Sequence, residues 1–202
     1  ILYGSIQQGL FARSVNSGAT YGLITENWLT GVNGQSEWVT PFMLDPQNHN
    51  TVYIGKDSIY KSVNRGNLWT TLHSPRLGTN VYWHYMAAAP SNPDYIYACS
   101  GTKMVRSVDG GLTFTNIPIA GNSSAIWSLA VSSNNPNKIW AATSKGVYFS
   151  GDTGHTWSNF STGLPPVTSY YPYTITCLKN SPNALYLGLH NGGGVYYIDS
   201  TL

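Results

Sequence analysis

Charged side chains are scarce in this sequence of 202 residues. Only 9% of them are Asp, Glu, Lys or Arg, and the ten basic residues are scattered singly along the chain. A protein that binds nucleic acid concentrates Lys and Arg on one surface, because contacts to phosphates supply much of its affinity. The composition therefore argues against a nucleic-acid partner.

Long apolar runs and cysteines are also few. No apolar run approaches the ~20 residues that a membrane-spanning helix needs, so we expect no membrane span. Cys99 and Cys177 lie in separate strand-like runs, and two buried free thiols are favoured over a disulfide or a metal site. The five histidines show no metal-ligand spacing, and we expect neither a metal nor a cofactor.

One eight-residue pattern, Ser-x-(Asp or Asn)-x-Gly-x-x-aromatic, occurs four times. We call the copies boxes 1 to 4; they cover residues 14–21, 62–69, 107–114 and 150–157. A short acceptor side chain followed two residues later by glycine is typical of a tight turn with positive φ. The boxes start 43 to 48 residues apart, a period typical of stacked units or propeller blades.

The repeated box positions have a structural interpretation. Their Asp or Asn oxygens are expected to accept backbone N–H bonds within the turn, each contributing about 1 kcal/mol. Asn at two of the four positions argues against catalysis or calcium binding, since Asn supplies neither a general base nor a charge. The box residues interpreted in this way are Ser14, Asn16, Gly18, Ser62, Asn64, Gly66, Trp69, Ser107, Asp109, Gly111, Ser150, Asp152, Gly154 and Trp157.

Short apolar runs around the boxes predict an all-β fold. Each repeat holds up to four runs rich in β-branched and aromatic residues, separated by Asn, Pro, Gly and Ser turns. We label them strands a to d, with the box between c and d, and interpret each set as a four-stranded antiparallel blade of a β-propeller. Complete blades are predicted at about 37–78, 79–121 and 122–163.

Both ends of the sequence fall inside a predicted blade. Residues 1–36 lack strand a, and residues 164–202 lack strand d, with Ile198 in place of the Ser of a fifth box. We therefore predict one propeller region over residues 1–202, with three complete and two partial blades. We favour an incomplete stretch of a larger propeller, completed by further blades or a second copy. A five-blade ring whose termini share a blade is the alternative.

The boxes and the strands before them resemble the Asp-box, or BNR, repeat. That repeat occurs in sialidases, xyloglucan-cleaving two-propeller glycosidases, sortilin-type receptors and a photosystem II assembly factor. The resemblance covers almost the whole chain. It implies a β-propeller whose boxes lie on the face away from the ligand, but it does not imply one function.

The arginines argue against sialidase activity, which needs three of them on the substrate carboxylate. Arg13 and Arg106 directly precede a box and Arg65 lies inside one, which leaves Arg76. One arginine cannot form that clamp.

Two acidic residues suit glycoside hydrolysis, which needs one protonated and one ionised carboxyl group facing a groove. Glu37 lies in the loop entering strand a and Asp57 in a b-to-c turn, so both belong to the face opposite the boxes. They are the candidate acid and base of a xyloglucanase-like enzyme. Solvated loop carboxylates are the alternative interpretation.

Aromatic residues of that face are the stronger functional signal, because flat rings stack on sugars and anchor peptides. Against this, Trp127 and Tyr173 lie at positions that recur blade by blade, which favours packing between sheets for these two. For Trp28, Trp38 and Trp83, exposure to a ligand and packing in the core are both open interpretations. The candidate ligand-binding residues are Trp28, Trp38, Trp83, Tyr85, Trp127 and Tyr171.

Two functions are consistent with this sequence. The favoured one is a non-catalytic extracellular or cell-surface propeller module that binds a glycan or a protein through the loops entering strand a. The alternative is a fragment of a glycoside hydrolase that uses the carboxylate pair. Low charge and the lack of a recognisable catalytic cluster favour the first.

Overall fold

The computed structural model describes residues 1–25, 30–32, 34–121, 123–167, 170–179 and 181–199. Apart from a short 3₁₀ turn at Gln7–Gly9, the regular elements in these ranges are strands. They form five antiparallel sheets, which we call blades 1 to 5 in chain order. No helix in the described part of the chain is long and apolar enough to cross a membrane.

The strands are numbered along the chain. Blade 1 comprises β1 (Leu2–Ser5), β2 (Phe11–Ser14) and β3 (Gly22–Leu23). Blade 2 comprises β4 (Phe42–Leu44), β5 (Val52–Gly55), β6 (Ile59–Ser62) and β7 (Thr70–Thr71). Blade 3 comprises β8 (Tyr85–Ala89), β9 (Asn92–Ser100), β10 (Lys103–Ser107) and β11 (Thr115–Asn116). Blade 4 comprises β12 (Ile126–Val131), β13 (Ile139–Thr143), β14 (Gly146–Ser150) and β15 (Ser158–Asn159). Blade 5 comprises β16 (Pro172–Leu178), β17 (Ser181–Leu189) and β18 (Val195–Asp199).

All five blades share one strand register. In the first four, the Ser that opens the box pairs with an apolar residue of the preceding strand, and blade 5 has Ile198 at the Ser position. The pairs are Leu2–Ser14, Val52–Ser62, Ile96–Ser107, Ile139–Ser150 and Leu185–Ile198. Blade 1 therefore holds strands b, c and d, and blade 5 holds a, b and c. The predicted set of three four-stranded sheets flanked by two three-stranded ones is confirmed.

The inner strands of blades 2 to 5 surround a common axis. β4 contacts β8, β8 contacts β12, and β12 contacts β16, as neighbouring first strands of propeller blades do. Because adjacent strands run in opposite directions, the loops entering the inner strands and the b-to-c turns share one face. The boxes lie on the other face, which we call the box face.

The core consists of apolar clusters between consecutive blades. Phe11 and Ile24 of blade 1 pack with Ile54 of blade 2, and equivalent clusters fill the next three interfaces. All five residues of β13 are buried, because blades 3 and 5 cover its two faces. A strand covered on both faces is a continuous apolar run rather than an alternating one.

Both cysteines are free thiols. Burial raises the pKa of Cys99 and Cys177, the latter to about 12, so both thiols stay protonated and weakly reactive at neutral pH. Cys99 is buried as predicted. The predicted burial is only partial for Cys177, which packs against the core of blades 4 and 5 and also lines the cavity along the axis.

Candidate functional site

Hydrogen bonds within each turn occupy the polar groups of the boxes. In box 4 the Ser150 hydroxyl donates to Asp152 Oδ1 at 2.7 Å and accepts the Gly154 N–H at 2.8 Å. The Thr156 N–H and hydroxyl donate to the same carboxylate at 2.9 and 2.6 Å. The serine-to-glycine bond recurs in boxes 1 to 3 at 2.8 to 2.9 Å. In every box the Oδ1 atom of the Asp or Asn accepts the N–H of the residue four positions later at 2.9 to 3.0 Å, which is the bond expected within the turn.

The two box aspartates are held in the ionised form. Hydrogen bonds from the hydroxyl and then the N–H of Thr113 lower the pKa of Asp109 to about 2. The equivalent bonds from Thr156 hold the pKa of Asp152 well below its usual range. A general acid must carry a proton near the working pH. Neither aspartate can therefore serve as one at neutral pH.

A groove of about 420 Å³ opens on the face opposite the boxes. It lies where the chain enters the inner strands of blades 2 to 5, and we call it the entry groove. Its lining residues are Glu37, Trp38, Val39, His84, Ile126, Trp127 and Tyr173.

One wall of the entry groove belongs to a cluster of aromatic rings, which we call the aromatic platform. It consists of Trp127, Tyr171, Tyr173 and His190. Trp127 lies 5.3 Å from Tyr173 and 6.1 Å from Tyr171 between ring centroids. His190 stacks on Tyr171 at 4.7 Å with an angle of 16° between the rings. Trp127 and Tyr173 are 37% and 46% exposed, so the platform offers ring surface to a ligand.

Glu37 and His84 meet at the other side of the entry groove. Glu37 precedes β4 and His84 precedes β8, and their Oε1 and Nε2 atoms lie 2.9 Å apart. Both side chains are about 40% exposed, so a ligand in the groove can reach them. The contact is an ion pair when His84 is protonated. The sequence analysis did not identify His84. The available signal was its position directly before β8, the inner strand of blade 3, which is the blade next to that of Glu37.

Trp38 is the most exposed ring of the entry groove, at 65%. Its carbonyl accepts the Gln8 N–H at 3.2 Å, which ties this loop to blade 1. The neighbouring Val39 is 74% exposed. The backbone is thus held while the apolar side chains point outward, as a preformed binding surface requires.

Other predicted aromatics are placed differently. Trp83 is fully buried between blades 2 and 3, beside Tyr53 and Met86. Its backbone N–H donates to the Lys56 carbonyl at 2.9 Å, whereas its indole N–H is buried without a hydrogen-bond partner among the described residues. Exposure of Trp83 to a ligand is therefore a wrong expectation. Tyr85 is half-buried against the core of blades 3 and 4.

Trp127 of β12 and Tyr173 of β16 belong to neighbouring blades. Their rings lie 5.3 Å apart between centroids, so the side chains pack between the two sheets as expected, while 37% of Trp127 and 46% of Tyr173 stay exposed. Trp28 lies outside the described residues.

Asp57 does not line the entry groove. Its N–H donates to the Gln35 carbonyl at 2.9 Å, which folds the b-to-c turn under the loop around Gly34. Its Oδ1 atom is buried without a hydrogen-bond partner, and a Cβ added at Gly34 would overlap it. Of the predicted carboxylate pair, Glu37 thus lines the groove, whereas Asp57 is packed beneath a loop.

A second cavity, of about 630 Å³, lies along the axis at the box end of the inner strands. Its lining side chains are mainly apolar and include Met43, Met86, Leu129 and Ile175, with Lys179 as the one charged residue among the described lining residues. It lacks the converging polar groups that orient a small-molecule ligand. Within the described ranges, no group of three His, Cys, Asp or Glu residues could hold a metal ion.

No family model matches this chain, but several known proteins are similar to it. It is 26% identical to a xyloglucanase of Hypocrea jecorina over 163 residues, which are 78% of this chain and 19% of the xyloglucanase. Its structure is similar to that of an ancestral GH74 enzyme, with a TM-score of 0.74 and 19% identity over 99% of this chain and 28% of the other. It is also similar to YCF48 from Cyanidioschyzon merolae, with a TM-score of 0.70 and 13% identity over 96% of this chain and 62% of the other. A YCF48 bound to D1 peptide matches over 99% of this chain and 60% of the other, with a TM-score of 0.59 and 13% identity.

These likenesses confirm the β-propeller fold. The chain spans about a fifth of the xyloglucanase, and the solved structures show the fold alone at their level of identity. Membership of the Asp-box family stays a prediction.

Proposed function

We propose that this chain is the glycan-binding part of a larger carbohydrate-active propeller protein and that the entry groove holds a neutral polysaccharide of the xyloglucan class. The observation that carries the proposal is the aromatic platform, which shares this groove with the exposed ring of Trp38. Flat rings stack on the apolar faces of sugar rings and lose little conformational entropy. The sequence similarity to a xyloglucanase supports this choice of ligand.

The charge of the entry groove favours a neutral ligand. Glu37 is the one carboxylate among the described lining residues, and it contacts His84. No Lys or Arg lines the described groove. An acidic sugar would need such a cation to hold its carboxylate.

An extracellular or cell-surface location is part of this proposal.

Binding fits the groove better than hydrolysis by this chain alone. Glycoside hydrolysis needs two carboxyl groups about 5 to 10 Å apart in one groove. Glu37 lines the entry groove, but Asp57 does not, because its side chain is packed beneath a loop. The second candidate function is a shared hydrolase site, in which Glu37 supplies one carboxyl group and another part of a larger protein supplies the other. The position of Glu37 beside the aromatic platform favours it.

Calorimetric titration with xyloglucan oligosaccharides tests the binding proposal, with polygalacturonate as the charged comparison. Trp38→Ala and Trp127→Ala are each expected to weaken xyloglucan binding about tenfold, or about 1.4 kcal/mol, because each removes a stacking surface. Tyr21→Ala is the matched control, since Tyr21 is 55% exposed on the box face. Absence of binding, or equal losses in all three variants, would contradict the proposal and favour a protein ligand.

Release of reducing sugar from xyloglucan tests whether this chain hydrolyses the polysaccharide without another part of a larger protein. The chain by itself is expected to release none. Release that disappears in Glu37→Gln would instead show that Glu37 acts in hydrolysis.

A further inference from the structure

A cation from the preceding blade holds each of boxes 2 to 4. The cation stands directly before the Ser of its own box and donates to the backbone carbonyl of the fourth residue in the next box. The bonds are 2.7 Å from Arg13 Nη1 to the Arg65 carbonyl, 3.3 Å from Lys61 Nζ to the Gly110 carbonyl and 2.7 Å from Arg106 Nη1 to the Thr153 carbonyl. These three interfaces are therefore joined in the same way.

The fourth box residue has the same backbone conformation in every box. Its φ lies between +58° and +70°, in the left-handed region, and this conformation turns the carbonyl toward the preceding blade. The residues are Ser17, Arg65, Gly110 and Thr153.

An aliphatic side chain accompanies each cation. It follows the cation by eleven residues, just after strand d, and covers the glycine of the next box so closely that an added Cβ would overlap it. The contacts are Ile24 with Gly66, Leu72 with Gly111 and Ile117 with Gly154. The box glycine is therefore required for space as well as for its positive φ.

The interface between blades 4 and 5 lacks the pair of a cation and an aliphatic residue. The equivalent positions of blade 4 hold Phe149 and Phe160, whose rings lie 6.0 Å apart and pack into the core shared with blade 5. Blade 5 has Ile198 where a box would begin. A cation and an aliphatic residue thus occur where the next blade has a box, and an aromatic pair occurs where it does not.

Box 1 has the same turn as boxes 2 to 4, but neither a cation nor an aliphatic side chain of a preceding blade contacts it among the described residues. No cation among the described residues donates to the Ser17 carbonyl, and Gly18 is half-buried whereas the other three box glycines are buried. Tyr21 is 55% exposed, against 4% for Trp69 of box 2. Leu2 is 47% exposed, whereas its equivalents in the other blades are 0 to 1% exposed; they are Val52, Ile96, Ile139 and Leu185.

We propose that this surface of blade 1, formed by Leu2, Ser17, Gly18 and Tyr21, docks a further blade of the same repeat. The docking blade carries Arg or Lys at the end of its third strand and Ile or Leu eleven residues later. This choice of partner is based on the interfaces between blades 1 and 2, 2 and 3, and 3 and 4. In each of them, the equivalent surface of a box contacts a cation and an aliphatic side chain of the preceding blade. A second copy fits less well, since its blade 5 would present Tyr197 at the position of the cation.

The test extends the full chain with a blade of known sequence. Residues 85–137 are fused before Ile1, because Lys138 and Ile1 hold the same register position. The extension supplies an inner strand for blade 1 and places its own copies of Arg106 and Ile117 beside box 1. We expect the melting temperature to rise by about 5 °C above that of the unextended chain. Arg106→Ala with Ile117→Ala, made in the extension only, should abolish most of the rise.

Two matched extensions make the result specific. Arg106→Lys in the extension should keep the rise, since Lys61 makes the same bond. Residues 126–183 fused at the same register carry Phe149 and Phe160 in place of the pair and should give a smaller rise. An extended chain that does not fold, or one unaffected by loss of the pair, would overturn the proposal. So would a dimer of the unextended chain that Leu2→Asp abolishes in sedimentation, because a second copy would then occupy the surface.

Discussion

The box face and the entry groove use their polar and aromatic groups in opposite ways. On the box face the acceptor side chains bond within their own turns, and the pattern repeats in four blades. Around the groove no two loops are alike, and Trp38 and Tyr173 stay exposed. Repetition in this molecule therefore marks the turns that build the blades, whereas irregularity marks the surface that is free to bind.

Two tryptophans that precede inner strands should separate stability from binding most strongly. Trp83→Ala is expected to cost about 3 to 5 kcal/mol of unfolding free energy, because it empties a core position that is 0% exposed. Trp38→Ala should change that free energy by less than about 0.5 kcal/mol, since surface substitutions rarely do more. Urea denaturation measures both values. Similar losses in the two variants would mean that the groove is part of the core.

Two glycines with positive φ provide the next comparison. Gly111 of box 3 contacts Leu72 of blade 2, whereas Gly192, in a b-to-c turn of the groove face, has nothing within 4 Å of an added Cβ. Gly192→Ala should cost about 1 kcal/mol for the backbone alone. Gly111→Ala should cost about 1 to 3 kcal/mol more, because its methyl group also displaces Leu72. If urea denaturation gave equal losses of unfolding free energy for the two variants, the contact between Gly111 and Leu72 would not contribute to stability.

Acid should weaken boxes 3 and 4 but not boxes 1 and 2. The folded-state pKa of Asp109 and Asp152 lies below the ordinary value near 3.8, so their contribution to stability is present above about pH 4 and is lost as the pH falls toward 2. Replacing both by Asn, the residue of boxes 1 and 2, should flatten the fall in melting temperature over this range. An unchanged fall would assign the acid sensitivity to other carboxyl groups.

Local chemistry explains why much of the fold could be predicted. A serine, an acceptor and a glycine define the same turn wherever they occur, so the four boxes gave the period, the strand order and the face of each turn. The candidate site was less predictable, because Glu37 and His84 are 47 residues apart and meet only when two blades pack. His190 likewise joins the aromatic platform through a ring contact with Tyr171, which directly precedes β16.

The sequence by itself determined the repeat, the all-β class and the incomplete first and last sheets, because these depend on turns and strands of adjacent residues. The tertiary structure alone decided that Trp83 is core while Trp127 is surface, and that Asp57 lies apart from the groove of Glu37. All of these residues lie in or beside loops with similar sequence signals. Their burial depends on how the neighbouring blade covers each loop, and that packing is not encoded in any one segment.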